Sequence, residues 1–520
     1  MSDSPSTQNP AHDTYTSPLA ARNASPEMCR IWSPRHKFQT WRKIWLAVAE
    51  AQHEVTKDWD KPLVSMEQVE ELRANLDVTD EDLALAAKYE AELRHDVMAH
   101  VHAWGDRCPK ARPIIHLGMT SQDVVCNADL AVALEATDLF FVKAARLIDS
   151  LAKSAIEWVD IPTLGFTHYQ SAQPLTVGRR IAGWASDLVY VIDSADLQLE
   201  MNRRWRGLRG ATGTQASFLQ LLHGDHSKVD LLETLFFARF VYGEEFVDLE
   251  EDGLPSGDEE IPAGTGTFEL TGQTYPRVHD ALLIANLAHV ASVLHKIATD
   301  IRLLSNRKEI DEPFGKNQIG SSAMPYKRNP MKCERICGLT RFVMNLVGNA
   351  YDTAATQWLE RTLDDSSNRR LSLPESFLAL DGALDLMHQV ASGLVVNEAM
   401  VRKNLMAELP FLATENIMME AVKLGGDRQD LHEKIRVHAQ AAGMRVKQEG
   451  LDNDLIERLR SDDAFKSVHH LLTEDQLLDP MQYVGRSVEQ TERFLKEVVE
   501  PLRERYGEEL ESLGGSDRGV

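Results

Sequence analysis

Between residues 128 and 158, apolar side chains return every three or four positions, at Leu130, Leu134, Phe141, Ala145, Ile148, Leu151 and Ala155. That spacing places them on one stripe of a single long α-helix. The same period runs through residues 38–55 and, at comparable length, through 174–203, 276–304, 331–358 and 371–396. Helices this long exceed the usual mean and bury an apolar stripe only against other helices alongside them. Alternating, strand-like segments are few and short, and no internal repeat is visible. The sequence therefore predicts an all-α fold around a central bundle of long helices.

The segments between these runs differ sharply from them. Residues 244–268, EEFVDLEEDGLPSGDEEIPAGTGTF, are acidic, rich in Gly and Pro, and lack a helical period. They read as a surface excursion between two bundle helices. Residues 1–17, and those from about Glu508 onward, have almost nothing to bury and read as disordered tails.

At 520 residues the chain exceeds one ordinary core. Its net charge of −24 argues against non-specific binding to nucleic acid or an anionic membrane. An anionic small molecule remains compatible, provided a local basic cluster holds it. No apolar run reaches the ~18–20 residues of a membrane span, and the N-terminus lacks the apolar core of a signal peptide. Five scattered cysteines, at 29, 108, 126, 333 and 337, read as reduced thiols of a cytosolic protein. Cys333 and Cys337 lie one turn apart, but no second Cys/His pair completes a zinc site.

Several polar stretches carry candidate chemistry. GSSAMPYKRNP, residues 320–330, combines a glycine, two serines and the donors Lys327, Arg328 and Asn329, and leads into a helix start. It is either an anion site or a solvated connection between helices. Gly320 permits unusual backbone angles, which would let the serine segment open and close. In LGFTHYQSAQPLTVGRR, residues 164–180, His168 stands among Thr167, Gln170 and Gln173, just before a helix expected to begin near Pro174. It is either a proton donor working near neutral pH or a structural histidine. In LRHDVMAHVHAW, His95 and His102 share a helix face at a spacing that suits capping or core roles better than zinc. In IHLGMTSQDVVCNADL, His116, Thr120, Ser121 and Gln122 precede the 128–158 run, where hydroxyls and free N–H groups cap the helix or hold a carboxylate. WLERTLDDSSNRR offers Arg361, Ser366, Arg369 and Arg370, suited to a phosphate or to pairing with Glu360, Asp364 and Asp365. The glycine-rich GLRGATGTQ follows a helical pattern, which argues against a dinucleotide fingerprint.

Together these stretches, with SPLAARNASPEMCRIWS, GTQASFLQL and TGQTYPR, resemble the fumarase/aspartase superfamily and, within it, the adenylosuccinate lyases of eukaryotic type. The resemblance runs from about residue 17 to about residue 500. It implies a three-part fold: an N-terminal helical part at 1–120, the long-helix bundle at 121–396 and a C-terminal helical part at 397–520. It implies elimination of fumarate from adenylosuccinate, giving AMP, and from the succinylated carboxamide ribotide SAICAR, giving AICAR, in purine synthesis. Ser321 is then the base, His168 the general acid, and His95 an aid to binding or to the acid. Lys327 and Asn329 stabilise developing carboxylate charge, and a closed, dry loop with Lys327 and helix N–H groups nearby brings Ser321 toward the alkoxide. Thr120 and Ser121 hold succinyl carboxylates, and Gln273 contacts the substrate. Arg22, Arg335, Arg361, Ser366 and Arg370 hold phosphate and ribose. The family implies no metal and no cofactor, a cytoplasmic homotetramer with shared sites, nucleotide substrates, and neither nucleic-acid nor membrane partners. Another lyase of the superfamily, such as argininosuccinate lyase, and a non-catalytic protein on the same fold are the alternatives. The arginines at 335, 361 and 370 weigh against the first, and His168, Ser321 and Lys327 against the second. Three departures from the family pattern stand out. The acidic 244–268 segment is longer than the family's usual connection and lies just before Gln273, where it either shields or regulates the site or is inert decoration. Asn23 replaces a common tyrosine, which weakens the Arg22 phosphate contact, and Ser171 replaces a usual proline, which is expected to loosen the loop carrying His168.

Overall fold

The computed structural model describes residues 14–201, 203–243, 266–472 and 479–513. The fold is mostly helical, at 69% helix. The long runs form the helices Pro34–Thr56, Ser121–Glu157, Val177–Met201, Val278–Asn306, Met331–Ala355 and Asp364–Ser392. Among the described residues, strands occur only as three two-stranded pairs.

Where sequence and structure differ, the causes are local. The helix expected near Pro174 begins at Val177, because residues 170–176 are the second strand of a hairpin. Thr176 caps the helix instead, its hydroxyl accepting from Arg179 N at 3.1 Å. The helix carrying Arg369 and Arg370 begins at Asp364, ahead of its apolar run, with Asp364 and Asp365 in the first turn. Carboxylates there complement the helix dipole. Most of the acidic excursion, 244–265, lies outside the described residues, as do 1–13. Gly266–Thr267 pair in parallel with Arg204–Trp205, so the excursion stops short of 268. Ser17, assigned to the tail, donates its hydroxyl to the Glu375 carboxylate at 3.1 Å. Residues 507–512 form a short helix. The helix Val278–Asn306 is, by length and composition, apolar enough to cross a membrane, against the sequence reading. Its Ala281, Ile284, Leu294 and Ile297 are fully buried, so that apolar surface belongs to the protein core.

The described chain divides into two compact units that interleave along the sequence, the first comprising residues 1–141, 191–292 and 339–383. Its core gathers Trp41, Trp45, Trp104, Phe218 and Phe236 around the helix Pro34–Thr56. That helix starts at a serine–proline pair, with Ser33 Oγ accepting from His36 N. Two further helices begin in reciprocal capping boxes, Ser65 with Gln68 and Thr79 with Asp82.

The second unit comprises residues 142–190, 293–338 and 384–520. A buried cluster there holds Lys143 and Arg146 on Asp385, at 3.0 and 2.7 Å. Trp184 Nε1 donates to Asp300 at 2.8 Å. The hairpin Pro162–Thr167/Gln170–Thr176 rests on the helix Glu398–Leu412, with Leu164 packed against Leu405 and Leu409. A separate small core, including Leu455, Phe465 and Val468, closes the C-terminal helices.

Candidate active site

In the first unit, the start of the helix Ser121–Glu157 is organised by Asp123. Its carboxylate is fully buried and accepts from Thr120 N at 2.7 Å, from Arg209 N at 2.9 Å, from Gly210 N at 3.1 Å and from the Arg206 guanidinium. The glycine-rich loop thus wraps a buried carboxylate. The Asp123 bond to Thr120 N is the reverse half of a capping box. Ser121 Oγ lies 3.3 Å from His95 Nε2. His95 is itself the N-cap of the helix Asp96–Arg107, its Nδ1 accepting from Met98 N at 3.3 Å. In the neutral ring, an accepting Nδ1 places the proton on Nε2. His95 therefore presents an N–H toward Ser121. His102, the other histidine of that face, stacks on Tyr89.

His95 and Ser121 line a hollow of about 510 Å³ together with Arg361, Ser366 and Arg370. Arg361 donates to Gln273 Oε1 and to Asp365, each at 3.2 Å. Asp365 is fully buried and also takes Arg277 Nε at 2.7 Å. Arg370 reaches Asp96 at 2.6 Å. Burial alone would raise the Asp96 carboxyl, but the Arg370 hydrogen bond and charge override it and hold the group below the usual carboxylate range. Arg369, in contrast, is buried against Asp280 and Asp129 and is structural. The structure thus brings His95, Thr120, Ser121, Gln273, Arg361, Ser366 and Arg370 together in one unit. Arg22 is exposed on a short helical turn and does not line the hollow. Asn23 turns its amide to Pro18 O at 2.8 Å, closing that turn.

In the second unit, His168 and Tyr169 are the two-residue tip of the hairpin, between the paired Thr167 and Gln170. Both have left-handed backbones, with φ of 53° and 57°. Tight hairpins require this geometry, and it suits Asn and Gly. For a histidine and a tyrosine it costs on the order of 1 kcal/mol each. The stem is well fastened. Gly165 approaches the opposite strand so closely that a Cβ would lie 2.3 Å from Gln173 O. The Arg180 guanidinium donates to Leu164 O, and Arg307 stands 4.7 Å from the Phe166 ring centre. Ser171 sits in register opposite Phe166. His168 itself is exposed.

The 320–330 loop is pinched shut at its neck. Asn329 Nδ2 donates to Gly320 O at 2.9 Å, and a Cβ on Gly320 would lie 2.1 Å from Lys327 O. Gly320 has no left-handed φ. It is required for this close approach rather than for unusual backbone angles. Ser321 Oγ accepts from Met324 N at 3.1 Å, a local turn bond. Lys327 is exposed. One expectation fails here. The first N–H groups of the helix Met331–Ala355, at Lys332 and Cys333, are taken by the buried Glu312 carboxylate at 3.0 and 2.9 Å. That helix start is closed to a substrate anion. Arg335 is half-buried on the same helix.

The sequence reading missed Asp123 and Glu312. The Thr120-x-x-Asp123 spacing is a capping signature and would have found the first. Glu312 stands in no motif and meets the Lys332 and Cys333 N–H groups only in the fold.

Comparison with known proteins gives a consistent result. A family model described as Lyase matches residues 20–215 and 265–345, and one described as Adenylosuccinate lyase C-terminus matches 410–494. The adenylosuccinate lyase of Saccharomyces cerevisiae is 44% identical over 493 residues, covering 94% of this chain and 96% of that protein. That of Schizosaccharomyces pombe is 46% identical over 494 residues, covering 94% and 95%. Among solved structures, the 3-carboxy-cis,cis-muconate lactonizing enzyme of Pseudomonas putida superposes with a TM-score of 0.75 at 23% identity, covering 94% of this chain and 99% of that one.

Proposed function

The chain belongs to the adenylosuccinate lyase family, within the larger lyase superfamily, and from that membership we propose that it eliminates fumarate from adenylosuccinate, giving AMP, and from SAICAR, giving AICAR. The carrying observation is the hollow that His95 and Ser121 line together with Arg361, Ser366 and Arg370. A nucleotide with a succinyl arm needs hydrogen-bond donors at both ends, and that hollow supplies both.

In the elimination, a base removes the proton beside a succinyl carboxylate. The C–H electrons form the new C=C bond, the C–N bond breaks, and the departing nitrogen takes a proton from an acid. Ser321 is the proposed base. A serine must approach the alkoxide to act so, and the Met324 N–H donated to its oxygen favours the negative form. Lys327 and Asn329 are the proposed stabilisers of the enolate-like carboxylate. His168 is the proposed acid, placed on a stiff stem with a free ring. His95, as a fixed Nε2–H donor, binds rather than transfers a proton. Thr120, Ser121 and Gln273 are assigned to the succinyl and base contacts, and Arg22, Arg335, Arg361, Ser366 and Arg370 to phosphate and ribose.

We further propose the three-segment division at 120 and 396, a homotetramer whose sites combine stretches of different chains, and a cytoplasmic location. The exposed apolar residues Tyr190, Leu282, Leu303, Phe342 and Tyr351 on the long helices support assembly. Purified protein should release fumarate from both substrates and from neither argininosuccinate nor malate. Release from argininosuccinate instead would overturn the reading.

A further inference from the structure

Beside the hollow just described lies a smaller one, of about 160 Å³, that shares Arg361, Ser366 and Arg370 with it and adds Lys37 and Trp32. Lys37 stands on the helix Pro34–Thr56, its ammonium 5.0 Å from the Trp41 ring centre and 5.5 Å from that of Phe38. Among the described residues it has neither a hydrogen bond nor an ion pair for its ammonium. Of the carboxylates that act on it, Asp96 is engaged by Arg370 at 2.6 Å and Asp129 by Arg369 at 2.9 Å, while Glu90 contributes charge without a hydrogen bond or ion pair to the ammonium. Burial pushes the Lys37 ammonium below the usual lysine range, with Asp129 opposing that shift and Arg370 adding to it. A charge held this way is desolvated without a hydrogen-bonded counter-ion, an arrangement that costs stability unless something repays it. An anion entering between Arg361, Ser366 and Arg370 would do so.

We propose that Lys37 is a further binding residue for the phosphate of the nucleotide, acting from the smaller hollow it lines with Arg361, Ser366 and Arg370. The inference rests on the assignment of Arg361, Ser366 and Arg370 to phosphate. It adds a group that no motif marks. The Phe38 and Trp41 rings flank the ammonium, and the side chain lines the hollow. A rigid, partly dehydrated point charge there strengthens a phosphate contact that the exposed Arg370 makes less firmly.

The test compares wild type with Lys37→Met, which keeps the unbranched stem, and Lys37→Arg, which keeps the charge. AMP, adenosine and fumarate are titrated calorimetrically into each folded tetramer or oligomer as purified, and turnover of adenylosuccinate is measured in parallel. Lys37→Met should weaken AMP binding by about 10- to 100-fold, the worth of one charge-assisted hydrogen bond. It should raise KM similarly while kcat moves less than about threefold. Adenosine and fumarate binding should not change, and Lys37→Arg should bind AMP within about threefold of wild type. A lysine that only supports packing would move thermal stability and leave the AMP-to-adenosine ratio unchanged, and that result overturns the proposal. So does wild type that fails to bind AMP. Wild type that binds AMP through Lys37 yet releases no fumarate would leave the phosphate contact standing and defeat the lyase reading instead.

Discussion

Gly320→Ala should silence the enzyme without unfolding it. The added methyl would sit 2.1 Å from Lys327 O, 3.1 Å from the Lys327 carbonyl carbon and 3.1 Å from Arg328 Cα. All three are backbone-fixed atoms, so no flexible side chain can yield. Even a tight contact near 3.0 Å requires the two sides of the neck to part by about 1 Å. That movement also stretches the Asn329–Gly320 hydrogen bond, now 2.9 Å. Ser321 and Lys327 sit on opposite limbs of the same neck, so they are displaced relative to each other. Misplacing reacting groups by about 1 Å costs on the order of 10²-fold in rate, or about 2.7 kcal/mol of barrier. The loop is largely exposed, so global stability should change by less than about 1 kcal/mol. The assay is fumarate release followed by its ultraviolet absorbance, with thermal unfolding as the control for folding. Gly338→Ala is the matched control, because a Cβ there meets nothing within 4 Å. Its kcat should stay within about twofold, with a slight gain in stability from helix propensity. If Gly320→Ala turns over within about threefold of wild type at native stability, the neck is not what aligns the loop.

Three further outcomes follow from other parts of the molecule. Inactive His168→Ala and inactive Ser321→Ala proteins, mixed under conditions where subunit exchange is verified, should regain up to about a quarter of normal activity, since random mixing restores some shared sites; persistence at background would place the two residues on one chain. Glu312→Ala should lower the denaturant midpoint by the equivalent of about 2 kcal/mol, because two helix-start N–H groups lose their buried acceptor; an unchanged midpoint would refute that capping role. Burial holds His388 down to about 4, below its unfolded value near 6.5, so the unfolded chain takes up the proton first. Its stabilising contribution is therefore full above about pH 6.5 and is lost as pH falls toward 4, by about 2 kcal/mol at pH 5. His388→Gln should flatten that part of a urea-denaturation pH series, and an unaltered slope would count against it.

The long helices were legible because burial repeats an apolar residue every turn, as from Leu130 to Ala155 along the helix Ser121–Glu157. Their first turns were not, because capping uses polar residues that carry no period. Asp364–Arg370 precede the apolar run they belong to, so the arginines read as loop residues. The hairpin at 162–176 was missed for a related reason. Its second strand, QSAQPLT, alternates poorly and contains a proline, which read as a helix start. The clustering of His95, Ser121 and Arg361 was reachable only through resemblance, since each lies on a separate helix start or loop. Glu312 acts through backbone groups a further 20 and 21 residues along the chain, and single-chain patterns hold no trace of such pairings. The resemblance supplied residue types for the loop, but not the pinch at Gly320 nor the occupation of the helix start by Glu312.

The left-handed tip of the hairpin sets a conflict for anyone improving this protein by consensus or design. Turn statistics favour Asn-Gly at positions 168 and 169, and the exchange would relieve on the order of 1 kcal/mol at each position. Screens scored on melting temperature alone would therefore enrich loss of His168, the very side chain assigned to protonate the leaving nitrogen. Stabilisation is better sought at the stem or in the helix interiors, at Gly348 for instance, where a Cβ meets open space. Natural drift faces the same slope, so a copy of this gene released from selection would shed its acid early and keep its fold long afterward.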